Sequence, residues 1–458
     1  MHSAGHGILQ SIRFTNTPDW NIKQIRSSVE IRSSFPRAPI GCCIVRVKDA
    51  VTVEDGLHYK RITIKTKNGG VVLRDELPGK FIKTKVQYRI SSGQLAVSKI
   101  DARNGAFGIV SKETDGAIIT GNFWVFNIDA EKALPDYLTL VLSSSFFIQA
   151  WFECSNGSGN RLYLQEEKFL RYPIPLPPID IQRRLLDGYF ADMQSASQLA
   201  KEADAGEENL EQYLFEALGI EKRAECAASP MLRTVPYRNI AQWGYDKNAA
   251  VFPFSFRKYK AFSFHTKPEW VRTFLRGKSP RYSSGGTAII LNQKCNRSNE
   301  IVLNYVKTVD RSWADRIPPD MLTKRNDILI NSTGEGTLGR ASCITDDSHI
   351  GLAFDSHILL LRVDQKMIDP QLLTALLNSS FGQKQVALYK SAQATKQTEL
   401  GIENTKRFLF PMPDISCQHK ISSEILARKE NIRVLRAEAE RLRQRAGARF
   451  EKAVFGEV

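Results

Sequence analysis

A long internal repeat constrains the fold of this chain more than any other feature of its sequence. The segment PDYLTLVLSSSF, residues 135–146, returns as PQLLTALLNSSF, residues 370–381, at an offset of 235 residues. YPIPLPPIDIQ from residue 172 returns as FLFPMPDISCQ from residue 408, at an offset of 236. A repeat of this length is far longer than a solenoid unit, so each copy is predicted to have a hydrophobic core of its own.

Each copy has the same internal order. Strand-like runs come first, such as RITIKT at 61–66 and ILLLRV at 358–363, and a helix follows near 136–151 or 371–388. A polar loop and a Pro-rich connector come next. The order predicts a mixed α/β region in each copy, followed by the Pro-rich connector and a further element after it.

The connector leads into a long predicted helix. Asp180 and Ser416 occupy the same repeat position, and both are good N-cap residues. From there the chain contains no proline as far as Leu218 in the first copy and Val454 in the second. Two helices of nearly equal length are therefore predicted.

Apolar residues recur every seven positions along both helices, in one common frame. The seam consists of Leu185, Tyr189, Ala196, Leu199, Ala203, Leu210, Tyr213 and Ala217 in the first helix and Ile421, Ile425, Ile432, Leu435, Ala439, Leu442 and Ala446 in the second. This pattern predicts that the helices pair as an antiparallel coiled coil. Asp192, Gly206, Arg428 and Arg449 interrupt the seam, so an imperfect pairing is expected. The alternative is that each helix packs on its own domain.

The predicted fold is α/β (α+β), with two globular domains joined by the two long helices. The predicted boundaries are 1–172 for the first globular domain, 173–218 for its connector and long helix, 219–235 for a linker, 236–407 for the second globular domain and 408–458 for the second connector and helix.

The charge of the chain points to a polyanionic partner. Lys and Arg number 64 against 49 Asp and Glu, a formal net charge of +15. Such a surface binds phosphates with release of condensed counterions. A general gain in solubility is the alternative explanation.

The cysteines predict a reducing compartment. The 7 Cys residues include no CxxC pair, and with the 7 His residues they form no zinc-like spacing, so buried, reduced thiols are expected. The first residues lack the order of a signal peptide, and the most apolar stretch, 138–152, is too short to span a bilayer. We expect a cytoplasmic protein without membrane contact.

Motifs inside the repeat resemble those of a known family. VSKIDARNGAFGIV at 97–110, DILINSTGEGTLGRA at 327–341 and IPLPPIDIQ at 174–182, followed twice by a long helix, resemble the specificity subunit of Type I restriction–modification systems. The resemblance implies that each globular domain is a target-recognition domain for one half of a split double-stranded DNA target. It also implies that the paired helices act as a ruler between the halves.

The resemblance further implies partners that carry the chemistry. Two methyltransferase subunits would use S-adenosylmethionine, and two restriction subunits would use ATP and Mg²⁺, whereas this chain would be a non-catalytic DNA-binding subunit without a cofactor of its own. A specificity subunit of a Type II system, with a fused methyltransferase–nuclease partner, is an alternative that the residues do not separate.

Two polar segments of each copy are candidate DNA contacts. Arg reads guanine, Asn reads adenine and Lys meets phosphate. The candidates are Lys99, Asp101, Arg103, Asn104, Asn160 and Arg161 in the first copy and Asn331, Ser332, Thr333, Thr337, Arg340, Lys396 and Gln397 in the second. The alternatives are a solvated hairpin turning at Asn104–Gly105 and flexible connectors at 155–161 and 391–397. The aromatic residues near Phe254 are predicted to belong to a core strand instead.

One pattern would make the chain an enzyme. Asp136, Glu166 and Lys168 formally match the PD…ExK pattern of a Mg²⁺-dependent endonuclease. Asp136, however, follows Pro135 at a predicted helix start, and Gln371 replaces it in the second copy. The sequence also contains no GxxxxGK[ST] phosphate loop and no NPPY-like motif, so catalysis is predicted to lie in partner subunits.

Overall fold

The structure is a computed structural model that describes residues 33–66, 68–158, 161–223, 252–297, 299–334, 336–392 and 398–456. The chain divides into two compact units, unit 1 (residues 1–199 and 437–458) and unit 2 (residues 200–436). Each long helix contributes residues to both units, whereas the predicted boundaries assign the helices to segments of their own. Those boundaries stay a prediction.

Among its described residues, unit 1 contains strands β1–β13, which lie between residues 37 and 175, three shorter helices and part of each long helix. The strands are β1 Arg37–Pro39, β2 Ile44–Val47, β3 Asp49–Thr52, β4 His58–Ile64, β5 Val71–Pro78, β6 Val86–Arg89, β7 Leu95–Ser98, β8 Phe107–Ile109, β9 Ile118–Ile119, β10 Phe123–Ile128, β11 Ser155–Ser158, β12 Arg161–Leu164 and β13 Pro173–Pro175. The helices are α1 Pro135–Ser143, α2 Ser145–Glu153, α3 Glu166–Arg171 and the long α4 Ile179–Leu218, whose first half belongs to this unit.

Two sheets organise unit 1. The first has the order β2-β10-β7-β8, and the second, five-stranded, has the order β3-β6-β9-β4-β5. The main core lies between the first sheet and helices α1 and α2, where Tyr137, Phe147 and Trp151 are fully buried. Large apolar side chains in both elements explain why this layer forms, since each contributes roughly 1.5–3 kcal/mol on burial.

Unit 2 contains strands β14–β26 and the remaining helices. The strands are β14 Ile220–Lys222, β15 Phe254–Phe256, β16 Ala261–Phe262, β17 Val271–Arg276, β18 Ala288–Leu291, β19 Lys307–Val309, β20 Ile328–Asn331, β21 Ala341–Cys343, β22 Ala353–Phe354, β23 Ile358–Val363, β24 Ser391–Ala392, β25 Thr398–Glu399 and β26 Phe410–Pro411. The helices are α5 Arg311–Ala314, α6 Pro370–Asn378, α7 Ser380–Tyr389, α8 Ile402–Thr405 and the long α9 Ile415–Phe455, whose first half belongs to this unit.

The repeat is visible in the sheets. Unit 2 has a four-stranded sheet of order β17-β23-β20-β21, which is the same arrangement as β2-β10-β7-β8 in unit 1. Its second sheet is smaller, with the order β19-β18-β22. Phe254 is buried and its ring lies 5.3 Å from that of Phe381, so the prediction of an aromatic core strand is confirmed.

The long helices begin where the repeat predicts, but with different caps. Asp180 and Ser416 lie in the first turn of α4 and α9, as the second residue of each helix. In α9 the cap is Asp414, whose Oδ1 accepts hydrogen bonds from the Cys417 N–H (3.0 Å) and the Ser416 hydroxyl (2.7 Å). The predicted N-cap role of Asp180 and Ser416 is therefore wrong, because both residues lie inside the helices and the cap position is two residues earlier.

The two helices pair in an antiparallel manner within each unit. In unit 1, the rings of Tyr189 and Phe450 are 6.2 Å apart, and Asp192 accepts a hydrogen bond from Arg445 (2.8 Å). The predicted seam is confirmed by its burial, since Ala196, Ala203, Ile425, Ile432, Ala439, Leu442 and Ala446 are all buried.

Each residue that interrupts the seam contacts a residue of the opposite helix. In unit 1, Asp192 faces Arg449, with Oδ2 3.4 Å from Nη1. In unit 2, the guanidinium of Arg428 lies 4.4 Å from the ring centre of Tyr213. Gly206 admits Ile432, because a Cβ at position 206 would lie 2.9 Å from Ile432 Cγ1. Each apparent fault is thus a specific contact rather than a gap.

A buried glutamine joins the start of each long helix to its unit. Gln182 Nε2 donates to the carbonyl oxygens of Lys132 and Pro177, both at 2.8 Å. Its Oε1 accepts from the Leu134 N–H at 2.9 Å. These three bonds satisfy the whole amide, which is why a polar side chain is tolerated with no solvent exposure.

Gln418 repeats this arrangement in unit 2. Its Nε2 donates to the carbonyls of Met367 (2.9 Å) and Pro413 (2.8 Å), and its Oε1 accepts from the Asp369 N–H (2.9 Å). The glutamine of the connector motif therefore has a structural role in both copies. Across the described ranges, none of the helices has the length and apolar content that a membrane crossing would require.

Candidate nucleic-acid interface

The end of strand β7 brings three segments of unit 1 together. The N–H of Lys99 donates to the Asn122 carbonyl (3.0 Å), and the Lys99 carbonyl accepts from the Leu164 N–H (2.8 Å). These bonds place the 99–104 loop beside the turn before β10 and the hairpin β11–β12. Two candidate segments that are about 60 residues apart in sequence, at 99–104 and 155–161, are therefore neighbours in the fold.

The 99–104 loop has a defined conformation. The side chain of Asn104 donates to Asp101 Oδ1 (3.2 Å), and the N–H of Asn104 donates to the Asp101 carbonyl (2.8 Å). Gly105 follows with φ of +75°, a conformation that favours glycine. The chain turns at 102–105, as the alternative interpretation of a hairpin expects, and this turn leaves Asn104 exposed and Arg103 half-buried.

Lys99 belongs to a group of cations that share one acid. Its Nζ lies 5.7 Å from the ring of Trp124, and the Arg46 guanidinium lies 5.6 Å from the same ring. Burial lowers the pKa of Lys99, and repulsion from Arg46 lowers it further. Glu166 is 3.7 Å from Arg46 Nη1, which is too long for a hydrogen bond. Within the described part of the chain, Nε and Nη1 of Arg46 are buried without a hydrogen-bond acceptor.

Unit 2 repeats the backbone of this site with other side chains. The N–H of Ser332 donates to the His357 carbonyl (2.9 Å), and the Ser332 carbonyl accepts from the Leu400 N–H (2.8 Å). Asn331 and Ser332 are fully buried. Among the described residues, Asn331 Oδ1 and Ser332 Oγ meet no hydrogen-bond donor or acceptor, although Asn331 Nδ2 donates to the Gln293 carbonyl (3.1 Å).

Exposed polar groups lie directly beside Ser332. Thr333 Oγ1 is 2.8 Å from Nδ1 of His357 and 3.2 Å from Oε1 of Gln293. Thr337 is half-buried, and Arg340 Nη2 donates to the Gly336 carbonyl (3.0 Å). Of the candidates in this loop, Thr333, Thr337 and Arg340 reach the surface, whereas Asn331 and Ser332 lie beneath it.

The remaining candidates are only partly described. Arg161 is the first residue of β12, so part of the predicted 155–161 loop forms a hairpin with β11. Asn160, Lys396 and Gln397 lie outside the described residues. Contact with DNA stays a prediction for all of the candidate residues.

Sequence reasoning missed three side chains of the site. Arg46 comes from a distant strand, and only the pairing of β2 with β10 brings it over Trp124. Asn122 and His357 are exposed and hold the same position in the two units. The offset of 235 residues already aligns these two in the sequence, so a comparison of the copies residue by residue could have found them.

The enzyme-like residues do not form the geometry that the nuclease pattern needs. Asp136 lies in the first turn of α1, and Glu166 is the first residue of α3, so neither is on a strand. Among the described residues, no cluster of three His, Cys, Asp or Glu side chains could hold a metal ion.

The cysteines differ in part from the expectation of buried thiols. Cys43, Cys154, Cys295 and Cys343 are buried, whereas Cys42 is exposed and Cys417 is half-buried. Burial raises the pKa of both Cys43 and Cys343 to about 12, which makes these two thiols unreactive. Cys226 lies outside the described residues.

Solved structures with a similar fold come from restriction–modification proteins. A chain described under "structural basis underlying complex assembly and conformational transition of the type I R-M system" is 16% identical, with a TM-score of 0.55, over 92% of this chain and 97% of that chain. The HsdS subunit from Thermoanaerobacter tengcongensis is 14% identical, with a TM-score of 0.44, over 93% and 97%. The S subunit from M. genitalium is 12% identical, with a TM-score of 0.46, over 93% and 97%. At such identities the first of these shows a shared fold.

The sequence itself matches a family model. No curated protein is similar enough in sequence to count as a match. Residues 44–190 match the model of the Type I restriction modification DNA specificity domain. This range contains the β2-β10-β7-β8 sheet, the 99–104 loop, the hairpin β11–β12 and Gln182. Residues 44–190 are therefore similar to the Type I restriction modification DNA specificity domain, which confirms the resemblance that the sequence motifs indicated.

Proposed function

We propose that the chain is the DNA sequence-specificity subunit of a Type I restriction–modification system and that it binds a bipartite duplex target. One observation carries this proposal: the two units place different side chains on the same backbone site. Lys99 and Asn122 in unit 1 correspond to Ser332 and His357 in unit 2, with matching backbone hydrogen bonds. Two sites with the same backbone hydrogen bonds and different side chains suit two unlike half-sites better than a palindrome.

Electrostatics favours DNA as the partner of these sites. The chain has a net charge of +15, and Lys99 and Arg46 concentrate positive charge beside the 99–104 loop. Contacts of this kind supply affinity through phosphates, whereas amide, imidazole and hydroxyl groups nearby supply base discrimination.

Partner subunits would carry out the chemistry. We infer two methyltransferase subunits that use S-adenosylmethionine and two restriction subunits that use ATP and Mg²⁺, and a cytoplasmic location where this assembly meets DNA. The family match supports this composition. A Type II assembly with one fused methyltransferase–nuclease partner is the second candidate, and the proteins that co-purify with the tagged chain separate the two.

The proposal is tested by exchanging one recognition region. Replacing residues 236–407 with the same region of a relative should change one half of the methylated motif and leave the other half intact. The motif is measured by modified-base sequencing of DNA from cells that contain the complete system. A change in both halves would contradict two independent recognition regions.

The chain alone should bind DNA without modifying it. Its affinity should fall steeply with salt, because each phosphate contact releases counterions. Methyl transfer by the purified chain, or Mg²⁺-dependent cleavage that is lost on Asp136→Asn, would overturn the non-catalytic role and favour the endonuclease alternative.

A further inference from the structure

We propose that one position of the fold, occupied by Asn122 in unit 1 and by His357 in unit 2, reads a base in each half-site. Asn122 would read an adenine. His357 would accept a hydrogen bond from an exocyclic amino group, and therefore select adenine or cytosine. The inference rests on the proposed function and names, for each half-site, the side chain that contacts the base and the chemistry of its contact.

The two residues are equivalent in sequence and in structure. Each directly precedes a central strand of the four-stranded sheet, β10 or β23. Each carbonyl accepts a hydrogen bond from the residue after the neighbouring strand, Lys99 (3.0 Å) or Ser332 (2.9 Å). Both side chains are exposed. A fixed backbone with an exposed polar side chain is the arrangement that base reading requires, since the side chain must reach out from a rigid support.

The ring of His357 is held in one orientation. The backbone N–H of His357 donates to Asp355 Oδ1 (3.0 Å), and the ring Nδ1 lies 2.8 Å from Thr333 Oγ1. The Thr333 hydroxyl has one hydrogen, which it donates to Gln293 Oε1 (3.2 Å). We infer that Thr333 Oγ1 accepts Nδ1–H of His357, so that in the neutral ring the hydrogen lies on Nδ1.

This tautomer decides what the ring can recognise. With the hydrogen on Nδ1, Nε2 of His357 is an acceptor on an exposed side chain. In the major groove, the donors on base edges are N6 of adenine and N4 of cytosine, whereas guanine and thymine present acceptors at the corresponding positions. A neutral His357 thus favours adenine or cytosine.

Two lysines lie on segments that contact Asp355 or its neighbours in sequence. Asp355 also accepts from the hydroxyl of Tyr282 (3.0 Å), and Lys307 Nζ lies 3.9 Å from the centre of the Tyr282 ring. Lys278 is exposed, and its N–H donates to the Phe354 carbonyl (3.3 Å). These lysines would meet phosphates on either side of the base that His357 reads.

Asn122 has corresponding surroundings in unit 1. Its amide has both a donor and an acceptor, and this combination matches N7 and N6 of adenine in a bidentate pair. The Asn122 N–H donates to Thr120 Oγ1 (3.4 Å), which helps to hold the turn. Lys99, bonded to the Asn122 carbonyl, provides the nearby positive charge.

The test selects binding sites from a random duplex library with the full-length chain and its variants. Wild type should return a two-part motif. His357→Leu should lose the preference for adenine or cytosine at one position of one half-site by about tenfold, and Asn122→Ala should lose an adenine in the other half-site by a similar factor. His357→Gln retains an acceptor and should retain the preference. His265→Leu and Asn127→Ala, exposed residues of the same types in units 2 and 1, should leave the motif unchanged.

Thr333→Val separates base reading from a structural role. It removes the acceptor for Nδ1–H, so it should weaken selection at the His357 position and at no other. A uniform loss of affinity, with every base preference retained, would overturn the inference. So would an unchanged motif for His357→Leu and Asn122→Ala, or a loss of guanine or thymine instead. A wild-type chain that selects no two-part motif would contradict the proposed function itself.

Discussion

Unit 1 and unit 2 hold the same four-stranded sheet and the same glutamine contact at the start of a long helix, yet equivalent positions on the two sheets differ in charge. Arg46 pairs with Phe126 across β2 and β10, and Phe274 pairs with Leu361 at the same place in β17 and β23. The four-stranded sheet and the glutamine contact are repeated in the two units, whereas the side chains near the strand ends are not. A duplicated domain can therefore change what it binds without changing how it folds.

The long helices differ from each other in a complementary manner. α4 has 9 acidic and 3 basic residues, whereas α9 has 5 acidic and 10 basic residues. Opposite charges favour the pairing of α4 with α9 and disfavour the pairing of two copies of either helix. The difference between the copies thus favours the pairing of the two helices, and under the proposed function it gives the two sheets different base contacts.

The largest effect is expected where the two copies agree. Gln182→Leu and Gln418→Leu should each destabilise their own unit by about 3 kcal/mol, because three hydrogen bonds are lost at about 1 kcal/mol each. Hydrogen–deuterium exchange of residues 132–138 and 367–373 under increasing denaturant measures this locally. Gln444→Leu, at an exposed position of α9, is the control and should change stability by less than about 0.5 kcal/mol. If only one of the two substitutions lowered the stability of its unit, the glutamine contact would not have the same role in the two copies.

The repeat and the long helices could be predicted from the sequence because they depend on local patterns. Heptad spacing is set by the helix period, and the predicted helix ends differ from the observed ones by at most two residues. The role of Gln182 was beyond sequence reasoning, since its partners Lys132 and Leu134 are about 50 residues away. The repeated motif marked the glutamine as part of the connector but did not indicate its hydrogen-bond partners.

The candidate site was predicted only in part, for a similar reason. The 99–104 loop was found because a polar turn between strands is a local signal. Arg46, Asn122 and His357 were missed because their place in the site depends on strand pairing. The burial of Asn331 was unexpected as well, since it follows from the β24–β25 hairpin and Gln293 lying over the strand end.

The second prediction makes unit 2 resemble unit 1 at one helix position. Lys429 corresponds to Met193, and burial lowers the pKa of Lys429 to about 8. Lys429→Met should stabilise unit 2 by about 2 kcal/mol at pH 7, since keeping the half-buried ammonium group charged in the folded state costs free energy. Below pH 8 both states of wild type carry the charge, so the cost is complete there. It disappears as the pH rises from about 8 to about 10.5, where the folded state holds fewer protons than the unfolded state.

Equilibrium unfolding at pH 7 and at pH 10 measures this difference. Lys420→Met, at an exposed position of the same helix, is the control and should have little effect at either pH. A stabilisation by Lys429→Met that is equal at both values would mean that packing, rather than charge, is responsible.

The third prediction replaces the charged cluster of unit 1 with the uncharged residues that occupy the same positions in unit 2. Glu166→Ile alone should cost about 1.5 kcal/mol, because Arg46 and Lys99 lose the one acid that they share. The triple variant Arg46→Phe, Lys99→Ser, Glu166→Ile carries the residues of unit 2 and should recover most of this loss. Thermal unfolding measures both. A triple variant less stable than the single one would show that the charged cluster supports the sheet in its own right.

The smallest effect concerns the seam. Asp192 corresponds to Arg428, and Asp192→Arg would place three arginines together with Arg445 and Arg449 in unit 1. The cost should be about 1 kcal/mol, since the two arginines are more than half exposed and solvent screens them. It should shrink in 1 M salt, where the screening length falls to about 3 Å. Asp187→Arg makes the same charge change at an exposed position of α4 outside the seam, and it should have a smaller effect.

Adding Arg445→Asp to Asp192→Arg restores one ion pair in reverse and should recover stability at low salt. If the loss persisted at high salt and in the double variant, then the shape of Asp192 in the seam, and not its charge, would specify the pairing of α4 with α9.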